Sequence, residues 1–128
     1  MYTISLEGQV ALVTGGSRGI GKAAAVKFAE AGIKGITIVS RHIEGVGEET
    51  KAELEAMGVE VNYVTGDASE EATARRAIDT TMERWGRLDI VVNNAGLGRR
   101  STVETVTLAD WDQTMAINLR STILFTQM

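Results

Sequence analysis

The sequence predicts an α/β fold, a doubly wound parallel sheet with helices on both faces. Three observations carry this expectation. Strand-length apolar runs alternate with helical patterns along the chain. The runs are apolar at consecutive positions, as in strands covered on both sides. Glycine closes the helical segments and proline is absent, so the connections are short turns.

Each element follows in order. Val10-Ala11-Leu12-Val13-Thr14 is an apolar run of strand length. Ile20, Ala24, Phe28 and Ala31 recur at helical spacing, and Gly32 supplies the stop. Ile36-Thr37-Ile38-Val39-Ser40 is β-branched and predicts a second strand. Val46, Thr50, Leu54 and Met57 mark one face of a second helix, whose glutamates face water and which ends at Gly58. Val59 to Thr65 is a third strand. Ala74, Ile78, Met82 and Trp85 give the third helix its face, with Gly86 as stop. Leu88 to Asn93 is a fourth strand. Thr107 is placed to N-cap a last helix, with Asp110 three residues on. That helix shows two apolar stripes: Trp111, Met115, Leu119 and Ile123, and Ile117, Leu124 and Met128. Two stripes need two covers, a larger fold or a second subunit. Right-handed crossovers between parallel strands make this a Rossmann-type half, with strand order 3-2-1-4 expected.

Composition narrows the chemistry. The chain has 128 residues, one domain's worth, with 44% hydrophobic and 23% charged residues, the profile of a soluble globular protein. Cysteine is absent and histidine occurs once, so disulfides, thiol nucleophiles and a metal cage lack material. A net charge of −4 disfavours nucleic acid as a partner. No apolar run approaches a membrane span, and the first residues show no export signal. A cytoplasmic location is expected.

The informative segment is Thr14-Gly15-Gly16-Ser17-Arg18-Gly19-Ile20-Gly21, between the first strand and the first helix. Glycine lets backbone approach a phosphate, and the helix N-terminus offers free N–H groups and a positive dipole end. A Walker A loop matches in part, as Gly16-x4-Gly21-Lys22. That motif needs Ser or Thr next to hold Mg²⁺, and Ala23 stands there.

With Asp67 in Gly66-Asp67-Ala68, Asn93-Asn94-Ala95-Gly96 and Asn118, the segments resemble the short-chain dehydrogenase/reductase family. Within it they are similar to the β-ketoacyl-carrier-protein reductases and related NADP(H)-dependent reductases. The resemblance covers essentially the whole chain. It implies a nicotinamide dinucleotide across the carboxyl ends of the strands. Gly15, Ser17, Arg18, Gly19, Ile20 and Gly21 would line its diphosphate and adenosine-ribose end. Asp67, with Ala68 beside it, would accept from the adenine amino group. Asn94, Ala95 and Gly96 would run along the ribose, while Asn93 ties neighbouring strands. Asp67 has a plainer alternative as a turn residue, and Asn118 as a bond to a backbone carbonyl.

Cofactor choice follows from charge. An NAD enzyme ends its second strand with an acid that takes the ribose 2′-OH. Here Ser40-Arg41 ends it, and Arg41 pairs with a 2′-phosphate through charge-assisted hydrogen bonds. Arg18 is placed to close on the same phosphate. NADP(H) is therefore expected over NAD(H). His42 is expected on the rim of the site. Arg99 and Arg100 are expected at its mouth, facing solvent or an acidic substrate.

Catalysis in the family needs a Tyr with a Lys four residues on, and an upstream Ser. Tyr2 is followed at that spacing by Leu6, and Tyr63 by Asp67. The resemblance places the Ser, Tyr and Lys beyond Met128 and leaves Asn118, the family's fourth catalytic member. Residues 1–128 are thus expected to be the NAD(P)-binding part of an oxidoreductase acting on a ketone or secondary alcohol, inactive alone. The alternative is a non-catalytic Rossmann module that binds a nucleotide or a partner. Homo-oligomerisation through the last helix or the open edge of the fourth strand is expected.

Overall fold

Strands without a polar face must be covered twice, and the computed structural model, which describes residues 2–98 and 100–128, shows how. The strands β1 (Val10–Thr14), β2 (Gly35–Ser40), β3 (Glu60–Thr65) and β4 (Ile90–Val92) form a sheet in the order β3-β2-β1-β4. Every pairing in it is parallel. The helices are α1 (Gly19–Glu30), α2 (Val46–Ala56), α3 (Glu71–Trp85), α4 (Leu108–Met115) and α5 (Ser121–Gln127). A π-helical turn, Ala116–Arg120, joins the last two.

The sheet separates two cores. On one side Ala11, Val13, Ile36, Ile38 and Val61 meet Ala25 and Ala29 of α1 and Leu54 of α2. On the other, Leu12, Val39 and Val64 meet Ala74 and Ala77 of α3 and Phe125 of α5. Successive residues of β1 thus feed opposite cores, which is why the strand is apolar without alternation. The α3 side also buries a hydroxyl network. Thr37 Oγ1 and Thr81 Oγ1 lie 2.5 Å apart, and Asn62 Nδ2 donates to Thr37 at 3.2 Å and Thr80 at 2.9 Å. These polar groups are paired, so their burial carries little cost.

The strands match the expectation closely, except that β4 is shorter than Leu88 to Asn93. Its start is fixed from the side: Asp89 N donates to Val10 O at 2.9 Å, and Val10 N donates to Asp89 Oδ2 at 2.8 Å. The helix faces need correcting. In α1 the buried residues are Gly21, Ala25 and Ala29, while Ile20 is 80% exposed. Small residues let the helix lie close to the sheet, and that outweighs the apolar area of Ile20. Likewise Gly47, Thr50 and Leu54 are buried in α2, with Val46 and Met57 exposed. In α3 the buried set is Thr73, Ala74, Ala77 and Thr81, with Met82 exposed.

The last helix is capped as expected: Asp110 N donates to Thr107 Oγ1 at 3.1 Å. Its buried face is Ile117, Ser121 and Phe125, packed towards α3. The stripe of Trp111, Met115, Leu119 and Ile123 is exposed.

Candidate functional site

In a doubly wound sheet the segments leaving the strand ends open a crevice where the strand order reverses, here between β1 and β4. A cleft of about 590 Å³ lies there. Gly15, Ser17, Arg18, Gly19, Ser40, Arg41, Asp67, Ala68, Asn94, Ala95 and Gly96 line it, so segments distant in sequence converge. Three of the residues expected at the site stand apart. Ile20 points into solvent. Gly21 is buried beneath the loop, where a Cβ would come within 2.3 Å of Gly15 O. Asn118 is exposed and is bound to Leu97.

The glycine loop is held from three directions. Gly15 turns with φ +64° and donates from its N–H to Val39 O at 2.8 Å. Asn94 Nδ2 donates to Gly15 O at 3.1 Å. Thr50 Oγ1 donates to Ser17 O at 2.5 Å. Thr14, the last residue of β1, fixes the segment after β4: its hydroxyl oxygen accepts from Asn94 N at 3.0 Å and Ala95 N at 2.9 Å. At the start of α1, Arg18 is extended and no side chain caps the helix, whose first turn carries no acid. The amide groups there are left to an anion.

On the β2–β3 side, Asp67 makes an Asx turn. Its Oδ1 accepts from Ser69 N at 2.8 Å and Ser69 Oγ at 2.7 Å. Its other oxygen lies 3.6 Å from Arg41 Nη2. Partial burial raises the carboxyl pKa, but the Ser69 bonds and the charges of Arg41 and Arg120 outweigh it and hold Asp67 below the ordinary range. The turn expected for Asp67 is therefore present, and one oxygen still faces the cleft ion pair. The segment after β2 is tied by hydroxyls. Those of Ser40 and Tyr63 bond each other and converge on His42 O, at 2.7 and 3.0 Å. His42 lies exposed on the rim. Arg100 is exposed, and Arg99 lies outside the described residues.

Asn118 sits in the π-turn. Its Oδ1 accepts from Leu97 N at 2.6 Å and its Nδ2 donates to Leu97 O at 2.9 Å, so it clamps the segment after β4 as a strand would. Asn93 Nδ2 donates to Thr126 Oγ1 at 3.3 Å, tying the strand end to α5 and not to a neighbouring strand. Sequence reasoning also missed Thr14, Thr50 and Tyr63 as supports. Thr14 had a visible signal, a hydroxyl ending a buried strand just before the glycine loop. Thr50 and Tyr63 act through tertiary contacts that no spacing reveals.

A family model for short chain dehydrogenases matches residues 9–128. The chain belongs to the short-chain dehydrogenases. It is 40% identical over 126 residues to the NADP-dependent (R)-specific alcohol dehydrogenase of Lentilactobacillus kefiri, covering 98% of this chain and 49% of that protein. It is similar to a short chain dehydrogenase from Burkholderia cenocepacia J2315 solved in complex with NADP: TM-score 0.89, 38% identity, 95% of this chain and 49% of that one. It is also similar to the 3-ketoacyl-(acyl-carrier-protein) reductase from Brucella melitensis complexed with NADH: TM-score 0.86, 35% identity, 96% and 49% covered. The chain spans about half the length of the curated relatives it matches. The family is one of oxidoreductases, and the strand order is that of a Rossmann-type sheet. Among the described residues no helix is long and apolar enough to cross a membrane.

Proposed function

We propose that this short-chain dehydrogenase binds NADP(H) in preference to NAD(H), as the cofactor-binding part of an oxidoreductase for a ketone or secondary alcohol. One observation carries the reading: Arg18 and Arg41 flank a single cleft onto which an uncapped helix N-terminus also opens. The donor set fits a phosphorylated dinucleotide. It offers free backbone amides for a diphosphate, and two guanidiniums, Arg41 where an NAD enzyme would carry an acid and Arg18 in the glycine loop. The structures of similar proteins hold NADP in one case and NADH in another, so the preference rests on Arg41, not on kinship.

The chain's own residues have separable tasks in this reading. Gly15, Ser17, Gly19 and the start of α1 bind the diphosphate end, with Ile20 and Gly21 shaping the loop. Asp67 and Ala68 flank the adenine, and Ser40 and Arg41 meet the adenosine ribose and its 2′-phosphate. Asn94, Ala95 and Gly96 let the ribose lie against backbone. Asn118 keeps that backbone in place through Leu97 and belongs to the proton relay of the whole enzyme. When bound, the nicotinamide supplies hydride transfer. Neither Tyr2 nor Tyr63 has a Lys four residues on, so these 128 residues are proposed to bind cofactor without turnover.

Fluorescence titration with NADPH and NADH tests the reading. Charge-assisted hydrogen bonds contribute about 1.5–3 kcal/mol, so NADPH is expected to bind at least about tenfold tighter. Arg41→Ala should remove most of that gap by weakening NADPH alone. Equal affinities in the wild type would refute the preference.

A further inference from the structure

The proposed phosphate ligand Arg41 has a partner of its own within the protein. Its guanidinium lies 3.6 Å from Asp67 Oδ2, with side chains 55% and 32% exposed. The parallel register places them together: Ser40 pairs with Thr65, so the residues just beyond both strand ends emerge side by side. The two partners depend on this contact unequally. Asp67 has its other oxygen filled by the Ser69 amide and hydroxyl. It also feels the charge of Arg120, whose Nε donates to Ser69 O at 3.2 Å. If Arg41 leaves, the carboxylate keeps two hydrogen bonds and a neighbouring cation. Asp67 is thus fixed by its own turn, and Arg41, on a flexible stem, is the partner able to move.

We propose that Asp67 is a positioning residue for cofactor choice that acts through Arg41, as a built-in counter-ion that the 2′-phosphate must displace. The inference rests on the reading of Arg41 as the 2′-phosphate ligand. NAD(H), with a hydroxyl at that position, leaves the ion pair intact. NADP(H) must break it, so the carboxylate narrows the preference for NADP(H). Removing its charge widens the preference. A half-exposed, single-contact ion pair is weak, so the effect is about two- to fivefold at low salt.

The test is the ratio of the NADH to the NADPH dissociation constant. It is measured by titration in the wild type, Asp67→Asn, Arg41→Ala and the double variant. Asn retains an oxygen for the Ser69 turn. Any loss of folded protein or of adenine contact weakens both cofactors alike and cancels in the ratio. The expected result is a ratio that rises about two- to fivefold in Asp67→Asn and does not change when the same substitution is made on Arg41→Ala. An unchanged or lower ratio in Asp67→Asn overturns the counter-ion role while leaving the Arg41 reading standing. A rise of equal size in the Arg41→Ala background also overturns it, because the carboxylate would then repel the phosphate directly. Equal affinities in the wild type overturn the Arg41 reading and this inference with it.

Discussion

Replacing Gly21 by Ala tests how the glycine loop is built. A Cβ at this position would lie 2.3 Å from Gly15 O, 2.9 Å from Gly15 C and 2.6 Å from Asn94 Nδ2. The first two are backbone atoms and cannot rotate away, so the start of α1 would have to shift by more than an ångström to reach ordinary contact. Overpacking of this kind costs about 1–3 kcal/mol, and a backbone neighbour puts it near the top of that range. Ala gains about 1 kcal/mol over Gly in a helix, leaving a net loss of about 2 kcal/mol. For a chain of this size that corresponds to a Tm lower by about 8 °C. The Asn94 side chain would lose its seat on Gly15 as well, so NADPH affinity should fall with stability. Urea unfolding with an unchanged m-value, together with NADPH titration, measures both. Gly98→Ala is the control: nothing lies within 4 Å of a Cβ there and its φ is ordinary, so a change within about 0.5 kcal/mol is expected. If Gly21→Ala were as stable as the wild type and bound NADPH equally well, the close approach would not be a requirement of the loop.

Two further expectations concern the strand edge and the surface. The Asp89 carboxylate is held below the ordinary range by Arg87, whose side chain donates at 2.7 and 2.8 Å, and by the Val10 N–H. A lowered folded-state pKa gives stability that is complete above the unfolded value of about 3.9 and is lost as pH falls through the folded one. Asp89→Asn should therefore melt below the wild type between about pH 5 and 8, with the gap closing in acid. A gap of constant size from neutral pH to about pH 3 would refute this assignment. Self-association is expected through the exposed Trp111, Met115, Leu119 and Ile123 stripe or the β4 edge. A monodisperse monomer in light scattering at high concentration would count against it.

How much was legible in the sequence differs by layer. The strands were, because burial on both faces leaves a continuous apolar run that water-exposed segments do not share. The sheet order followed from the crossover rule. The helix faces were displaced by about one position in α1, for a physical reason. Periodicity weights large apolar residues such as Ile20, whereas close packing on a sheet selects Gly21, Ala25 and Ala29. The glycine loop was legible as a turn between β1 and α1, because glycine takes the positive φ that Gly15 and Gly19 adopt there. Its supports were not. Thr50 reaches Ser17 across 33 positions and Thr14 reaches Ala95 across 81, and neither distance has a sequence signature. The pairing of Arg41 with Asp67 was within reach, since adjacent parallel strands deliver their following residues to the same place.

The π-turn at Ala116–Arg120 changes what an insertion or deletion means in the last helix. Each residue of a regular α-helix turns the side chains by about 100°. The wider turn absorbs a residue without that advance, and so sets the phase in which Ser121 and Phe125 arrive against the core. Deleting one residue from it would leave a regular helix with the downstream side chains still in phase with the core. Phe125 would stay against α3, and Asn118, inside the turn, would lose Leu97. Surface loops take length changes as local events. The π-turn shares that tolerance, whereas a residue lost from the regular turns between it and Phe125 would rotate Phe125 by about 100°, exchanging the inside of the helix for its outside while every later amino acid stayed the same.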